Sequence, residues 1–282
     1  MPSPGTNRKF RHAARLRSLS FAVPHEAAVS PMPAKLSTPL HNLPANSASN
    51  FFIGAQVGTS AADTERSEMS AWDTERRAEK DGFDVAAREA QVLGQPQRIA
   101  PLDPKDFDAD AKALVVGVRE SLGLSDHAKI PEVFALMLKH PGLFRCQMEM
   151  GIQLLGRGAI AARERELAVL RVAWLCRAPF EWGEHVDVAR RYGVTEAEIE
   201  RVTHGSSAPG WTEHEATILR AVEELLGDQM ISDETWNVLA QSWTERQLIE
   251  FPTLVGYYVT TAYSQNALRV RLAVINRGLR HR

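Results

Sequence analysis

Cysteine is scarce in this sequence, which has Cys146 and Cys176 and no other among its 282 residues. Their spacing fits no zinc-binding or CxxC pattern, and two thiols in so long a chain do not indicate a disulfide scaffold. We therefore expect reduced thiols in a cytoplasmic protein. No apolar run approaches the roughly 20 residues that a membrane-spanning helix needs. The net charge of −2 gives no bias toward nucleic acid or an anionic membrane.

The composition changes near residue 95. Residues 1–60 are rich in Ser, Pro, Ala, Asn and Gly and show little periodicity, which is typical of disorder. The first 25 residues are basic and lack acidic residues, as in a transit peptide, but a disordered tail or a start placed upstream of Met32 or Met69 explains them better. Residues 70–93 are charged and predict a loosely attached helix. We predict a largely disordered or loosely helical extension over 1–97, a helical domain over 98–275 and a basic tail over 276–282.

From residue 101 onward the apolar residues recur at helical spacing almost throughout, and no alternating run indicates a strand. The segments that begin at Thr195 and Thr212 have Glu three residues later, and Thr244 has Gln there, which predicts three capping boxes. Ser232 is predicted to cap a further helix. Pro252 is expected to kink the last long helix or to mark its first turn. Helix pairs with short loops predict an all-α, multi-helix bundle.

One carboxylate–imidazole pair stands out as a candidate acid/base site. Glu181 and His185 are four residues apart and therefore share one helix face. A carboxylate beside a histidine fixes its tautomer and raises its basicity, which suits general acid/base catalysis. A helical hairpin would bring Glu166 from the preceding helix to the same place, with Cys176 close to the connecting loop. The alternative is a solvated surface pair without a catalytic role.

Several segments resemble proteins of the carboxymuconolactone decarboxylase family, which share a fold with alkylhydroperoxidase D. The resemblance is carried mainly by RERELAVLRVAWL at 163–175 and FEWGEHVDVARRYGVTEAEIERV at 180–202. It continues through RIAPLD at 98–103, KHPGLFR at 139–145, APGWTEHEATILRAVEEL at 208–225, ISDETWNVLA at 231–240 and ERQLIEFPTLVGYYVTTAYSQNALRV at 245–270. The resemblance implies a helical bundle of the alkylhydroperoxidase D-like type that forms trimers or hexamers and needs no cofactor.

The peroxidase-type members of that family have a CxxC pair before a His, with a Glu one helix earlier. The resemblance assigns the Glu to Glu166 and the His to His185, whereas Ala178 and Glu181 occupy the two cysteine positions. Cys176 lies two residues before the first of these positions and does not correspond to it. Disulfide-cycling chemistry therefore lacks its paired thiols, and the pattern is similar to the branch that contains the lactone decarboxylases.

Three functions remain open from the sequence. The first is a cofactor-free lyase or isomerase that uses His185, Glu181 and Glu166 on a small carboxylated lactone or ring-cleavage product. The second is a thiol-dependent, peroxiredoxin-like hydroperoxidase using Cys176, and the third is a non-catalytic helical homo-oligomer. Neither nucleic acid nor membrane is expected as a partner.

Weaker expectations concern substrate and metal binding. Substrate-binding candidates are Trp182, Arg171 and Asn266. A tryptophan in such a helix is more often part of the core, the sequence favours a surface position for Arg171, and Asn266 either lines the site or caps the helix. A metal site would need Glu166 or Glu184 as a third ligand beside the Glu181–His185 pair. The Glu-x-x-Glu-His order is not the HExxH pattern, so we predict no metal.

Overall fold

The computed structural model describes residues 83–121 and 124–282, apart from the side chain of residue 121. The predictions for residues 1–82, including the disordered extension, lie outside these described residues. Ten α-helices and two short 3₁₀-helices occur in the described part, and it contains no strand. The α-helices are α1 (Val85–Val92), α2 (Ala109–Ser121), α3 (Glu132–Met137), α4 (Pro141–Gly156), α5 (Ala162–Leu175), α6 (Pro179–Arg191), α7 (Glu196–His204), α8 (Glu213–Asp228), α9 (Asp233–Ala240) and α10 (Glu245–Leu268). The predicted all-α class is thus confirmed.

Helix α5 is the centre of the bundle. Every residue from Arg165 to Leu175 is buried, as expected for a helix that has neighbours on all sides. It packs against α6, α7, α8 and α10. One face of α5 joins a core with α8, α9 and α10, and the other joins a core with α6 and α7. A third apolar cluster links α2, α3 and α4.

The helix starts follow the local sequence signals closely. The boxes at Thr195, Thr212 and Thr244 are all formed, and the Ser232 hydroxyl accepts the backbone N–H of Thr235. Helix α10 begins at Glu245 and continues through Pro252. Pro252 therefore does not mark the first turn, which was one of the two expectations for it.

The end of the chain packs against α6. Leu279 is fully buried and His281 is nearly so, so the predicted basic tail over 276–282 is packed into the protein. Helix α1 is also attached, because Glu89 accepts the backbone N–H of Leu279 at 2.9 Å and pairs with Arg280 at 3.2 Å. We call residues 276–282 the C-terminal segment. The predictions of a loosely attached helix and of a basic tail are corrected by the same contact, because the Glu89 carboxylate accepts from the backbone and a guanidinium of the C-terminal segment. These partners are about 190 residues apart in sequence, so local patterns do not reveal the contact.

None of the helices within residues 83–121 and 124–282 is long and apolar enough to cross a membrane.

Candidate active site

A helical hairpin brings the three predicted acid/base residues together. Helix α5 ends at Leu175, and Arg177 adopts a left-handed conformation (φ 51°) that reverses the chain before α6. Oε2 of the fully buried Glu166 lies 2.7 Å from His185 Nδ1. Glu181 Oε1 lies 3.2 Å from His185 Nε2. The imidazole ring is therefore held between two carboxylates, one from each helix.

Two further side chains hold the outer oxygens of these carboxylates. Arg165 Nε donates to Glu166 Oε1 at 3.0 Å and pairs with it inside the protein. Gln265 of α10 donates from Nε2 to Glu181 Oε2. Neither residue is a candidate from the sequence alone. Arg165 adjoins Glu166 in sequence, but neighbouring helical residues do not normally face each other, and only the fold brings Gln265 to Glu181.

The electrostatics of the site favour a charged histidine. Burial lowers the pKa of His185, but the negative charge of Glu166, the hydrogen bonds to Glu166 and Glu181, and the charge of Glu181 outweigh it and raise the pKa to about 10. At neutral pH the ring is an imidazolium with both N–H groups engaged. Such a ring supplies positive charge to its surroundings more readily than it gives up a proton.

Aromatic rings close the site from α10. The Tyr258 ring meets the His185 ring edge-on, with centroids 5.0 Å apart and an interplanar angle of 88°. Tyr257 packs edge-on against Tyr258 and donates its hydroxyl to the Gln147 carbonyl of α4 at 3.1 Å. Burial, followed by the charge of Glu181, raises the pKa of Tyr257 to about 12, and burial also raises the pKa of Tyr258 well above its usual value. Both phenols are neutral at physiological pH.

A cavity of about 120 Å³ adjoins His185 and Glu181. Its wall comes from α3 and the residue before it, and from α4, α6 and α10, and it is mainly apolar. The lining residues are Pro131, Val133, Phe134, Met137, Phe144, Gln147, Met148, Gly151, Leu155, Phe180, Glu181, Glu184, His185, Val188, Tyr257, Tyr258, Thr261, Ser264 and Gln265. The acid/base groups are thus placed at the edge of a space suited to a small molecule.

Glu184 is a second carboxyl on the cavity wall. Desolvation by burial raises its pKa to about 7, while its hydrogen bond from Asn276 opposes the rise and the charge of Glu181 adds to it. The Asn276 Nδ2–Glu184 Oε1 distance is 2.8 Å. From the sequence, Glu184 was a candidate only as a metal ligand, because nothing in its local pattern shows that it is desolvated.

Two of the predicted substrate-binding residues lie away from the cavity. Trp182 is fully buried and donates from Nε1 to the His281 carbonyl at 2.9 Å. Arg171 is buried as well, with Nε 2.9 Å from Glu223 Oε1 and Nη1 3.0 Å from the Val202 carbonyl oxygen. It therefore supports α7 and α8 from inside the protein and is not the surface arginine that the sequence favoured.

The remaining candidates lie at the α5–α6 turn. Asn266 donates from Nδ2 to the Cys176 carbonyl at 3.0 Å, so it secures the hairpin from α10. Cys176 is partly buried and caps α5, and Cys146 is exposed on α4. Neither cysteine is among the residues that line the cavity. Cys176 is therefore close to the site residues in sequence, but it does not line the cavity.

The groups around His185 are suited to hydrogen bonding and proton exchange. Among the residues of the described ranges, no three His, Cys, Asp or Glu side chains form a group that could hold a metal ion. An imidazolium has no lone pair to offer a metal, and both nitrogens of His185 already face carboxylates. The residues present fit hydrogen bonding better than metal coordination.

Comparison with known proteins links this part of the chain to one family. The model of the carboxymuconolactone decarboxylase family matches residues 141–224, which include Glu166, Glu181 and His185. A search of curated proteins found no match to this chain.

Solved structures show the same fold. An uncharacterized peroxidase-related protein from Silicibacter sp. TM1040 superposes with a TM-score of 0.54 at 14% identity, over 64% of this chain and 96% of that one. An uncharacterized peroxidase-related protein with an alkylhydroperoxidase AhpD core, from Ralstonia eutropha JMP134, gives a TM-score of 0.51 at 14% identity, over 64% and 94%. At these identities the likeness concerns the fold alone. Residues 141–224 are thus similar to the carboxymuconolactone decarboxylase family, and the helical domain has the fold of these two peroxidase-related proteins.

Proposed function

We propose that the protein is a cofactor-free enzyme of proton transfer, a lyase or isomerase that acts on a small carboxylated lactone or a related ring-cleavage product. The observation that carries the proposal is the position of His185, held between Glu166 and Glu181 beside a mainly apolar cavity. The family match supports the same class of chemistry.

In the proposed reaction, His185 acts through its charge. Loss of CO₂, or of a proton next to a carbonyl group, leaves negative charge on the substrate, and a fixed imidazolium stabilises that charge in a site with little water. Glu181 accepts or relays a proton, because it is the carboxylate of the pair that lines the cavity, and Gln265 orients it. Glu166 keeps the ring charged and oriented from behind, and Arg165 holds Glu166 in place.

The cavity supports a small ligand. An apolar cavity of about 150 Å³ is large enough for one benzene-sized ring, and the cavity here is of similar size, at about 120 Å³. The apolar side chains around it, among them Phe134 and Phe144, exclude water and strengthen electrostatic effects at His185. A single substituted ring is therefore the substrate size that we propose.

A thiol-dependent hydroperoxidase would need a thiolate at the reacting atoms. Because Cys146 and Cys176 are absent from the cavity lining, the proposal assigns the chemistry to the carboxylates and the histidine.

The test is a paired assay on the full-length protein. One arm follows loss of γ-carboxymuconolactone absorbance, and the other follows thiol-dependent consumption of an alkyl hydroperoxide. His185→Gln should lower lactone turnover by about 10²-fold or more, the usual scale for losing one charge-stabilising donor, and Cys176→Ser should leave it unchanged. Peroxide consumption that disappears in Cys176→Ser, without lactone turnover, would overturn the proposal.

His214 provides a matched control for the histidine substitution. It also contacts a carboxylate, with Nε2 3.1 Å from Glu164 Oε1, and meets an aromatic ring edge-on, that of Trp243 at 5.5 Å. It is not among the cavity residues. His214→Gln should therefore retain turnover, which separates loss of the site from general damage to the fold.

A further inference from the structure

Glu184 is a carboxyl on the cavity wall that has no role in the acid/base pair proposed above. It lines the same cavity as Glu181 and His185, one residue before His185 on α6. Its Oε1 accepts the Asn276 amide, and within the described residues its Oε2 makes no hydrogen bond. A carboxyl in such a place has one oxygen fixed and the other available for a proton.

We propose that Glu184 is a second proton-carrying group of this cavity and that Asn276, on the C-terminal segment, is the residue that positions it. The inference rests on the proton-transfer function proposed above and adds a donor to it. It also gives the C-terminal segment a role in the site, although that segment does not line the cavity.

Asn276 is fixed in a single orientation by three hydrogen bonds. Its Nδ2 donates to the Phe180 carbonyl at 2.9 Å as well as to Glu184, and its Oδ1 accepts the Gly278 backbone N–H at 2.8 Å. Its approach to α6 requires Gly183, since a Cβ atom there would lie 1.7 Å from Asn276 Oδ1. The helix surface is therefore shaped to admit this amide beside Glu184.

The charges around Glu184 allow it to exchange a proton near neutral pH. Desolvation raises its pKa most, the Asn276 amide lowers it, Glu181 and Asp187 raise it, and the His185 imidazolium lowers it, with a result of about 7. A general acid works best when its pKa is close to the working pH. His185, with a pKa of about 10, is a much poorer proton donor.

The proposed step balances without a cofactor. In the lyase case the bond from the substrate carbon to its carboxylate breaks, CO₂ leaves, and the electron pair stays on the substrate. The neutral Glu184 carboxyl then gives its proton to that carbon and becomes a carboxylate, which Asn276 and His185 stabilise. Water returns the proton to Glu184. From α10, Tyr257 and Tyr258 face the same cavity as neutral phenols.

The test measures the titration of Glu184 directly, without a substrate. The full-length protein labelled with ¹³C at the glutamate carboxyl carbons is followed by NMR from pH 4 to 9. We expect one signal with a midpoint near 7 that is missing in Glu184→Gln and retained in the control Glu196→Gln, whose side chain is exposed. A Glu184 midpoint in the ordinary range of a solvated glutamate would overturn the assignment.

The second variant tests the positioning role. Asn276→Asp replaces the donor amide with a carboxylate, so the Glu184 midpoint should move upward by about one pH unit or more. A lower midpoint together with a changed Trp182 indole N–H signal would show that the segment has detached and water has reached Glu184, which also supports the positioning role. A lower midpoint with an unchanged Trp182 signal would overturn it. An unchanged midpoint would refute the role of Asn276. Because these titrations need no turnover, they stand or fall separately from the lactone assay.

Discussion

Replacing His185 with glutamine tests whether the imidazolium stabilises the fold through its two carboxylates. The pKa of His185 is raised in the folded protein from 6.5 to about 10. A histidine with a raised pKa stabilises the folded state fully below pH 6.5, and this contribution is lost as the pH rises toward 10. The wild-type protein should therefore become less stable across that window.

The magnitude follows from the same two values. A difference of one pH unit between the folded and unfolded pKa corresponds to about 1.4 kcal/mol, so the full contribution of His185 is on the order of 5 kcal/mol. This agrees with the cost of about 3–5 kcal/mol for removing one partner from a buried ion pair. Between pH 7.5 and 9.5 the loss should be about 3 kcal/mol.

The assay is urea unfolding, followed by tryptophan fluorescence at several values of pH from 7.5 to 9.5. Lysine, cysteine and tyrosine residues titrate in wild type and variants alike, so the informative quantity is the difference in slope. His185→Gln should lack the fall of about 3 kcal/mol, whereas His214→Gln should retain it. Equal slopes in wild type and His185→Gln would refute the assignment of a charged, doubly paired ring.

Two further predictions concern α6 and its partners. Gly183→Ala should destabilise the protein by about 1–3 kcal/mol in urea unfolding, because its Cβ would collide with Asn276, whereas Gly117→Ala, whose Cβ meets nothing within 4 Å, should be neutral or stabilise by about 0.5–1 kcal/mol. A free energy of unfolding for Gly183→Ala that is equal to or above that of Gly117→Ala would contradict this account. Glu184→Gln should be more stable than wild type by about 1–3 kcal/mol at pH 8, because a carboxyl whose pKa rises from 4.5 to about 7 stabilises the fold below pH 4.5 and loses this contribution as the pH rises through 7. A variant less stable than wild type at pH 8 would show that the Glu184 carboxylate is well solvated or paired.

The sequence predicted much of the fold because its signals act over short distances. A capping box needs only a hydroxyl and a carboxylate three residues apart, and the boxes at Thr195 and Thr212 are formed as expected. The spacing of Glu181 and His185 likewise fixes them on one helix face. Placing Glu166 beside them needed the further assumption of a helical hairpin, which the structure contains.

The local pattern failed where a side chain has long-range partners. Arg171 has the sequence context of a surface residue, yet it is buried and bonded to Glu223 and to α7 carbonyls. Trp182 was a weak candidate for substrate contact, and its indole instead binds the carbonyl of His281. In both cases the partner lies more than 30 residues away, at a distance that helical periodicity does not encode.

By itself, the sequence determined the helices, their caps and the common helix face of Glu181 and His185, since these depend on spacing along one helix. Only the tertiary structure decided the charge state of His185, the desolvation of Glu184 and the contacts from Gln265 and Asn276. The physical reason is that a pKa depends on water and charge in every direction around a group. That environment is assembled from α5, α6, α10 and the C-terminal segment, which meet only when the chain has folded.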